Sequence, residues 1–251
     1  MKMDLNLDVG ESFGVYSLGH DDAVLPYVTS ASAACGFHGG DPQIMARTVG
    51  LVKAHGVALG AHPGYPDLAG FGRRIIRMSE HEIENILLYQ LGALGAFARA
   101  QGVPLRHVKP HGALYNFAAH DMPTARAIAR AVTRFDSHLI LVAQANSRLV
   151  DAAKEFGLAC AREGFIDRAY RSDGSLVPRT EVGAVVSSPA RAVQVAMQLV
   201  RDKTVRAIDG TLLKLEVDTL CIHGDAPHAI DTARAVHEAL RASGVTLAPM
   251  V

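Results

Sequence analysis

Seven short apolar runs along the chain end in charged side chains or in side chains of metal-binding type, and a helical pattern follows most of them. The runs cover residues 3–9, 30–35, 57–61, 106–108, 139–143, 158–162 and 219–222. Strands that alternate with helices predict a parallel sheet, because two parallel neighbours need a crossover connection. Continuous apolar runs are typical of strands covered on both faces. We therefore predict an α/β fold with seven strands, whose polar ends meet at one edge of the sheet.

Sequence signals at helix ends support this alternation. Proline marks three predicted helix starts, at Asp41-Pro42, Ser188-Pro189 and Pro227. The first of these helices is predicted to end at Gly56, and a capping box at residues 79–82 opens another that ends at Gly102. Residues 63–78 and 169–185 carry glycine and proline and are predicted to be loops. Loops of this length usually serve as lids or binding walls.

Composition limits the classes of protein that fit. The chain has 251 residues, of which 49% are hydrophobic, and its formal net charge is +0. We predict a single domain over residues 1–251, since no linker or repeat divides the chain and α/β barrels commonly reach this length. The neutral balance gives no footprint for nucleic acid or an acidic membrane. Arg73, Arg74 and Arg77 lie close together in the sequence. They could form a solvent-exposed face or bind a phosphate group.

The three cysteines indicate a reducing compartment. Cys35, Cys160 and Cys221 are odd in number and widely separated, which is typical of free thiols in a cytosol. The N-terminal segment enters a strand pattern at once, without the pattern of a signal peptide. No apolar run approaches the roughly 20 residues of a membrane-spanning helix. We therefore expect a cytoplasmic protein.

Two pairs of ionisable residues at strand ends are the main catalytic candidates. Asp8 and Glu11 are two carboxylates that can hold a cation, act as acid and base, or bind an ammonium group, although Glu11 could simply cap the next turn. Lys109 and His111 offer a cation for an oxyanion and a group that titrates near neutral pH. We predict that Asp8, Lys109 and His111 are catalytic.

Further strand-end residues are predicted to bind the substrate: Glu11, His38, His62, Tyr115, Asn116, Glu163, Asp167, Arg168, His223 and Asp225. Glycines on both sides of His38 permit close approach of the backbone. Cys35 is either a nucleophile paired to His38 or, more simply, a buried thiol. His223 and Asp225 suit a metal ligand with its supporting carboxylate, a binding wall at a helix start, or a helix cap.

Several common catalytic devices are missing from the sequence. It contains no G-x-x-x-x-G-K-[ST] phosphate loop and no G-x-G-x-x-G motif after a strand. If a nucleotide is used, neither of these devices holds it. The motifs G-x-S-x-G and S-x-x-K are also missing, so a serine acyl-enzyme has no support.

Six segments, in this order, closely resemble the LamB/YcsF family of 5-oxoprolinase A subunits: DLNLDVGESFG, SAACGFHGGDP, GAHPGYPDLAGFGRR, HVKPHGALYN, FIDRAYRSDGSLVPR and CIHGDAP. The resemblance runs from about residue 2 to residue 245. The chain departs from many family members at four positions, Leu7, Val9, Gly39 and Arg162. At position 162 a histidine is often found, so a histidine role there would be lost.

The resemblance implies an irregular (β/α) barrel similar to the glycoside hydrolase/deacetylase superfamily. It also implies ATP-dependent opening of the lactam of 5-oxoproline to L-glutamate, with ADP and phosphate, in a complex with two further subunits, B and C. Phosphorylation of the amide oxygen would create an electrophile for water. The carboxylates are then candidates for the base, while Lys109 and the histidines could stabilise the phosphorylated oxygen.

Two other functions stay open, as does the identity of the lactam. One is a standalone metal-dependent amidohydrolase or deacetylase, in which a divalent metal with an open position activates water. Its predicted ligands are Asp8, His38 or His62, and His223. The other is a non-catalytic regulatory protein that binds a lactam without converting it.

Overall fold

A computed structural model describes residues 1–186, 188–224 and 228–250. Its strands are β1 (Lys2–Val9), β2 (Ser30–Ala34), β3 (Ala58–His62), β4 (Leu105–Val108), β5 (Ile140–Gln144), β6 (Cys160–Phe165), β7 (Thr204–Arg206), β8 (Leu212–Lys214), β9 (Thr219–His223) and β10 (Thr246–Leu247). Its α-helices are α1 (Asp21–Val24), α2 (Pro42–His55), α3 (Glu80–Ala100), α4 (Gly112–Ala118), α5 (Met122–Phe135), α6 (Arg148–Glu155), α7 (Pro189–Met197) and α8 (Ala229–Ala242).

Seven parallel strands close into a barrel. Their order is β1-β2-β3-β4-β5-β6-β9, and β9 pairs with β1 to complete the ring. These are the seven predicted runs, so the predicted fold class is confirmed. β6 extends to Phe165, three residues beyond its predicted end, and therefore contains Glu163. The antiparallel pair β7–β8 and the short β10 beside the start of β1 were not predicted.

The helix starts follow the sequence signals. The Asp41 side chain accepts hydrogen bonds from the backbone N–H groups of Gln43 and Ile44 at the start of α2, and Gly56 ends that helix with a φ of 67°. The predicted capping box opens α3 and Pro189 begins α7. Pro227 lies outside the described residues. Residues 63–78 contain neither helix nor strand, and residues 169–185 carry only isolated bridges.

The inside of the barrel is polar, so β1 alternates more than the prediction of a mainly continuous apolar run implied. In β1, Asp4, Asn6 and Asp8 face inward, whereas the intervening leucines face the helices. The Asn6 amide donates to Thr219 Oγ1 at 2.7 Å across the barrel. The Thr219 hydroxyl in turn donates to Asp4. These hydrogen bonds make a polar barrel interior possible, because a buried polar group is costly only when it has no hydrogen-bond partner.

Two further features concern membrane-spanning helices and the cysteines. In the part of the chain that the structure describes, no helix is both long and apolar enough to cross a membrane. Cys35, Cys160 and Cys221 are free thiols, as the sequence predicted.

Candidate functional site

A cavity of about 550 Å³ opens where the strands of the barrel end. Nine of the residues predicted for the site line it: Asp8, Glu11, His62, Lys109, His111, Tyr115, Asn116, Arg168 and His223. His38, Glu163 and Asp167 lie behind this wall and contact residues that form it. Asp225 lies outside the described residues. Parallel strands thus bring residues from distant parts of the chain to one mouth.

The Lys109 ammonium group forms the floor of the cavity. Its Nζ lies close to four acceptors: Glu163 Oε1 at 2.8 Å, Asn6 Oδ1 at 2.9 Å, Asp8 Oδ1 at 3.0 Å and Cys221 Sγ at 3.1 Å. Burial lowers the pKa of Lys109, but Asp8, Cys221 and Glu163 raise this pKa by a larger amount. The pKa of Lys109 therefore stands well above its usual range. The ammonium group is therefore charged and engaged with its neighbours.

Glu163 is buried beneath this floor with both oxygens in use. Besides the ion pair with Lys109, the Asn6 amide donates to its Oε1 at 3.0 Å and the Tyr115 hydroxyl donates to its Oε2 at 2.6 Å. Burial and the adjacent Glu163 carboxylate raise the pKa of Tyr115 well above its usual range. Glu163 is fully buried, whereas the Asp8 and Glu11 side chains are 8% and 12% exposed at the cavity. Asp8 and Glu11 are thus the carboxylates that a bound molecule can reach.

A group of three histidines surrounds Glu11 on one wall. His62 Nε2 lies 3.0 Å from His111 Nδ1, and the rings of His38 and His111 stack with centroids 3.6 Å apart. Burial, followed by the charge of His111, lowers the pKa of His38 to about 3 and that of His62 well below its usual range. Burial alone would raise the pKa of Glu11, but hydrogen bonds and charge from His111 and His38 hold it well below its usual range. Glu11 is therefore ionised.

The loop over residues 63–78 shapes the same wall. Gly72 has a φ of 62°, and a Cβ there would lie 2.7 Å from His111 Cδ2 and 2.8 Å from the Cβ of His38. Phe71 also has a left-handed backbone, with a φ of 53°, and its carbonyl oxygen lies 2.8 Å from His111 Nε2. A non-glycine residue in this conformation is uncommon and is found where surrounding structure holds it. The loop thus fixes the orientation of the His111 ring.

His223 is fixed by Asp167 on the opposite side of the barrel mouth. Its Nδ1 lies 2.8 Å from Asp167 Oδ2, and its backbone N–H donates to the same oxygen at 2.9 Å. Burial raises the pKa of Asp167, but the charge and hydrogen bonds of His223 lower it more, to about 2. The His223 ring also stacks on Phe165 with centroids 6.0 Å apart.

Three arginines, Arg73, Arg168 and Arg179, also line the cavity. Arg168 Nη2 donates to the carbonyl oxygen of Val177 at 2.7 Å, while its buried Nε has no hydrogen-bond partner in the described part of the chain. Burial lowers the pKa of Arg168 to about 10, and the charges of Arg179 and Arg73 contribute to this lowering. These side chains form a cationic region suited to an anion.

The structure separates residues that the sequence grouped together. Arg74 pairs with Asp67 and is largely exposed, so only Arg73 of the cluster faces the cavity.

Cys35 is buried outside the cavity lining, and burial raises the pKa of its thiol to about 12, as expected for an inert thiol.

The metal ligands expected from the sequence do not form one group among the described residues. The ligand-type side chains form two groups instead, one of Glu11, His38, His62 and His111 and one of Asp8, Cys221 and His223. The expected His38 or His62 therefore lies in the first group, and the expected Asp8 and His223 lie in the second. His223 Nδ1 instead lies 2.8 Å from Asp167 Oδ2.

Sequence reasoning did not predict five residues of the site: Phe71, Phe165 and Arg179, which line the cavity, and Asn6 and Cys221, which contact Lys109 beneath it. The alternation of polar and apolar residues in β1 could have revealed Asn6, because every second side chain faces the same side of a strand. Arg179 sits in an irregular loop, where spacing gives no such signal.

Comparisons with known proteins agree with the resemblance seen in the sequence. The family model described as LamB/YcsF matches residues 3–251. A protein of Symbiobacterium thermophilum, named as the A subunit of 5-oxoprolinase, is 54% identical over 246 residues, covering 98% of this chain and 94% of that protein. The crystal structure of a lactam utilization protein from Thermus thermophilus is 49% identical, covers 99% of both chains and has a TM-score of 0.93.

A more distant likeness concerns the fold alone. The structure of the T48 deacetylase with substrate is 13% identical, covers 98% of this chain and 86% of that chain, and has a TM-score of 0.51. The barrel thus resembles that of a deacetylase, as the sequence predicted. Because the LamB/YcsF family model spans nearly the whole chain, the protein belongs to the LamB/YcsF family.

Proposed function

We propose that this chain is the A subunit of a 5-oxoprolinase that opens the lactam of 5-oxoproline to L-glutamate with hydrolysis of ATP. The observation that carries the proposal is similarity over nearly the full length to a relative with this name, at 54% identity. The 49% identical lactam utilization protein points to the same class of substrate. The word "subunit" in the relative's name supports a complex, and we propose that its other members are subunits B and C.

The shape and charge of the cavity support a small anionic lactam. 5-Oxoproline has a compact apolar ring, one amide and one carboxylate. Phe71, Ile75 and Phe165 offer apolar contacts in the cavity, and Arg168 lies in its cationic region. We propose that Arg168, with Arg73 and Arg179, binds the carboxylate or the transferred phosphoryl group, since guanidinium groups pair with both.

The proposed chemistry balances with one ATP and two waters. The lactam oxygen attacks the γ-phosphorus and ADP leaves, which produces an imidate-type phosphate. Water adds to the ring carbon after losing a proton to a carboxylate, and the C–N bond breaks as nitrogen gains a proton. The resulting acyl phosphate takes a second water and yields L-glutamate and phosphate. ATP supplies both the activation and the driving force for opening an unreactive amide.

Asp8 is the proposed base, because its carboxylate faces the cavity. Lys109 orients Asp8 through their 3.0 Å ion pair. His111 lies beside Glu11, with its Nδ1 3.4 Å from Glu11 Oε1. We propose that His111 stabilises the negative charge on the phosphorylated lactam oxygen.

The test is an assay of the chain alone and of the reconstituted complex. We expect release of glutamate and phosphate only when 5-oxoproline, ATP and both partner subunits are present. ATP hydrolysis should require 5-oxoproline, and omission of this chain should abolish glutamate formation. Turnover of a lactam by the isolated chain without ATP would contradict the proposal.

A second candidate is a standalone metal-dependent amidohydrolase. The observation that favours it is the convergence of Glu11, His62 and His111 at the cavity wall. Two histidines with one carboxylate can leave a metal position open for water. Metal-dependent and ATP-independent release of an amine by the isolated chain would support this alternative.

A further inference from the structure

Hydrogen bonds to two backbone carbonyls fix the protonation of the His62 and His111 rings. His62 Nδ1 lies 2.7 Å from the carbonyl oxygen of Lys109, and His111 Nε2 lies 2.8 Å from that of Phe71. A carbonyl oxygen can only accept a hydrogen bond, so each of these nitrogens carries hydrogen. In the neutral rings, His62 Nε2 and His111 Nδ1 are therefore bare and offer lone pairs.

The two bare nitrogens face each other across 3.0 Å. Two lone pairs at this distance repel unless a cation lies between them, either a proton or a metal ion. Glu11 Oε1 completes a triangle, 3.4 Å from His111 Nδ1 and 4.0 Å from His62 Nε2. Ligand atoms held at about 2.0–2.1 Å around a tetrahedral zinc ion stand about 3.3 Å from one another. The three separations bracket this spacing.

His38 supports the triangle without belonging to it. Its ring stacks parallel to that of His111, with an interplanar angle of 3° and centroids 3.6 Å apart. Since an imidazole binds a metal in the plane of its ring, two rings stacked in this way cannot share one ion. His38 Nε2 instead lies 3.4 Å from Glu11 Oε1, where it can orient the carboxylate. Such outer contacts are typical of ligands in metal centres.

We propose that Glu11 Oε1, His62 Nε2 and His111 Nδ1 form a binding site for a divalent cation of the zinc class. All three residues line the cavity, so a remaining position of the ion would face a bound molecule. Asp8 Oδ2 lies 3.4 Å from His62 Nε2 and can accept a hydrogen bond from a water in that position. The donor set of two histidines and one carboxylate favours zinc and its neighbours over magnesium or calcium.

This site is the one on which the second candidate function rests. Metal binding is measured without substrate or partner subunits, so its outcome is separate from that of the lactam assay. The full chain is stripped with a chelator, dialysed, and titrated with zinc chloride by calorimetry, with metal content measured by mass spectrometry. We expect one zinc ion per chain in the parent protein. Less than about one tenth of an equivalent, with no heat of binding, would overturn the proposal and leave a shared proton between the two rings.

Three variants locate the site: Glu11→Gln, His62→Gln and His111→Gln. Each should weaken zinc binding by more than the roughly 10–100-fold that loss of an outer contact costs. His120→Gln is the matched control, since His120 lines the same cavity and is exposed. It should bind zinc like the parent. Circular dichroism of every variant shows whether the fold persists, and a folded ligand variant with parental affinity would overturn the assignment.

Cobalt spectroscopy of the folded chain distinguishes this site from the second group of candidate ligands, Asp8, Cys221 and His223. Cobalt bound by Glu11, His62 and His111 should show ligand-field bands without a sulfur-to-metal charge-transfer band. Such a band, lost in Cys221→Ser, would place the ion on the thiolate and overturn the proposal. His223→Gln should leave the spectrum unchanged, and loss of cobalt in that variant would count equally against it.

Discussion

Lys109 Nζ and Glu163 Oε1 lie 2.8 Å apart at the floor of the cavity, and both side chains are almost fully buried. The pair joins the end of β4 to β6 across the barrel, and the same ammonium group also holds Asp8. A buried ion pair depends on both partners, because loss of one leaves an uncompensated charge. Lys109 therefore stabilises the fold as well as the arrangement of the site.

Replacement of this lysine should destabilise the protein strongly, although the side-chain volume is nearly kept. We expect Lys109→Met to lower the free energy of unfolding by about 3–5 kcal/mol, since Glu163 and Asp8 lose their countercharge. Adding Glu163→Gln should restore part of the loss. Urea denaturation measures both changes, and Lys154→Met, at an exposed lysine, should stay within about 0.5 kcal/mol of the parent. A Lys109→Met variant of parental stability would contradict this account.

Removal of the Asp8 carboxylate should affect catalysis more than folding. Asp8→Asn keeps the size of the side chain and one acceptor oxygen for Lys109, but an amide cannot take a proton from water. In the reconstituted complex we expect kcat to fall about 10²–10⁴-fold. The exposed Asp151→Asn serves as the control. Turnover of Asp8→Asn within about threefold of the parent, in an assembled and folded complex, would remove Asp8 from the proposed chemistry.

Arg168 should act mainly in binding the anionic substrate. Loss of a hydrogen bond to a charged group costs about 1.5–3 kcal/mol, which corresponds to roughly 10–100-fold in affinity. We therefore expect Arg168→Met to raise KM for 5-oxoproline by this factor with a smaller change in kcat. Arg74→Met provides the comparison, because Arg74 pairs with Asp67 outside the cavity lining. Equal KM values for the two variants would argue against an anion contact at Arg168.

The Asp167–His223 pair should make stability depend on acid pH. The folded pKa of Asp167 is about 2, against about 3.9 for an unfolded aspartate. The unfolded chain therefore binds the proton first, so the contribution is complete above about pH 4 and is lost as pH falls towards 2. It amounts to roughly 2–3 kcal/mol. The free-energy difference between parent and Asp167→Asn, measured by urea denaturation, should shrink between pH 5 and pH 2, and a constant difference would contradict the shift.

The sequence by itself determined the elements of the barrel and the end at which the site lies. Apolar runs and capping residues such as Asp41 and Ser79 act over a few neighbouring positions, so their effect can be seen in a short window of sequence. The strand-end rule then placed Asp8, His62, Lys109 and His223 at a common mouth, and the structure brings all four to one cavity.

Only the tertiary structure decided which of these side chains contact one another. Lys109 and Glu163 are 54 positions apart, and the strand order and register that bring them within 2.8 Å cannot be read from either segment alone. The split of the ligand-type residues into a Glu11 group and a His223 group likewise depends on Asp167 and on the carbonyl groups of Lys109 and Phe71. The periodicity of the sequence indicates which face of a strand or helix a residue occupies. The distances between residues on different strands are set by the closure of the barrel.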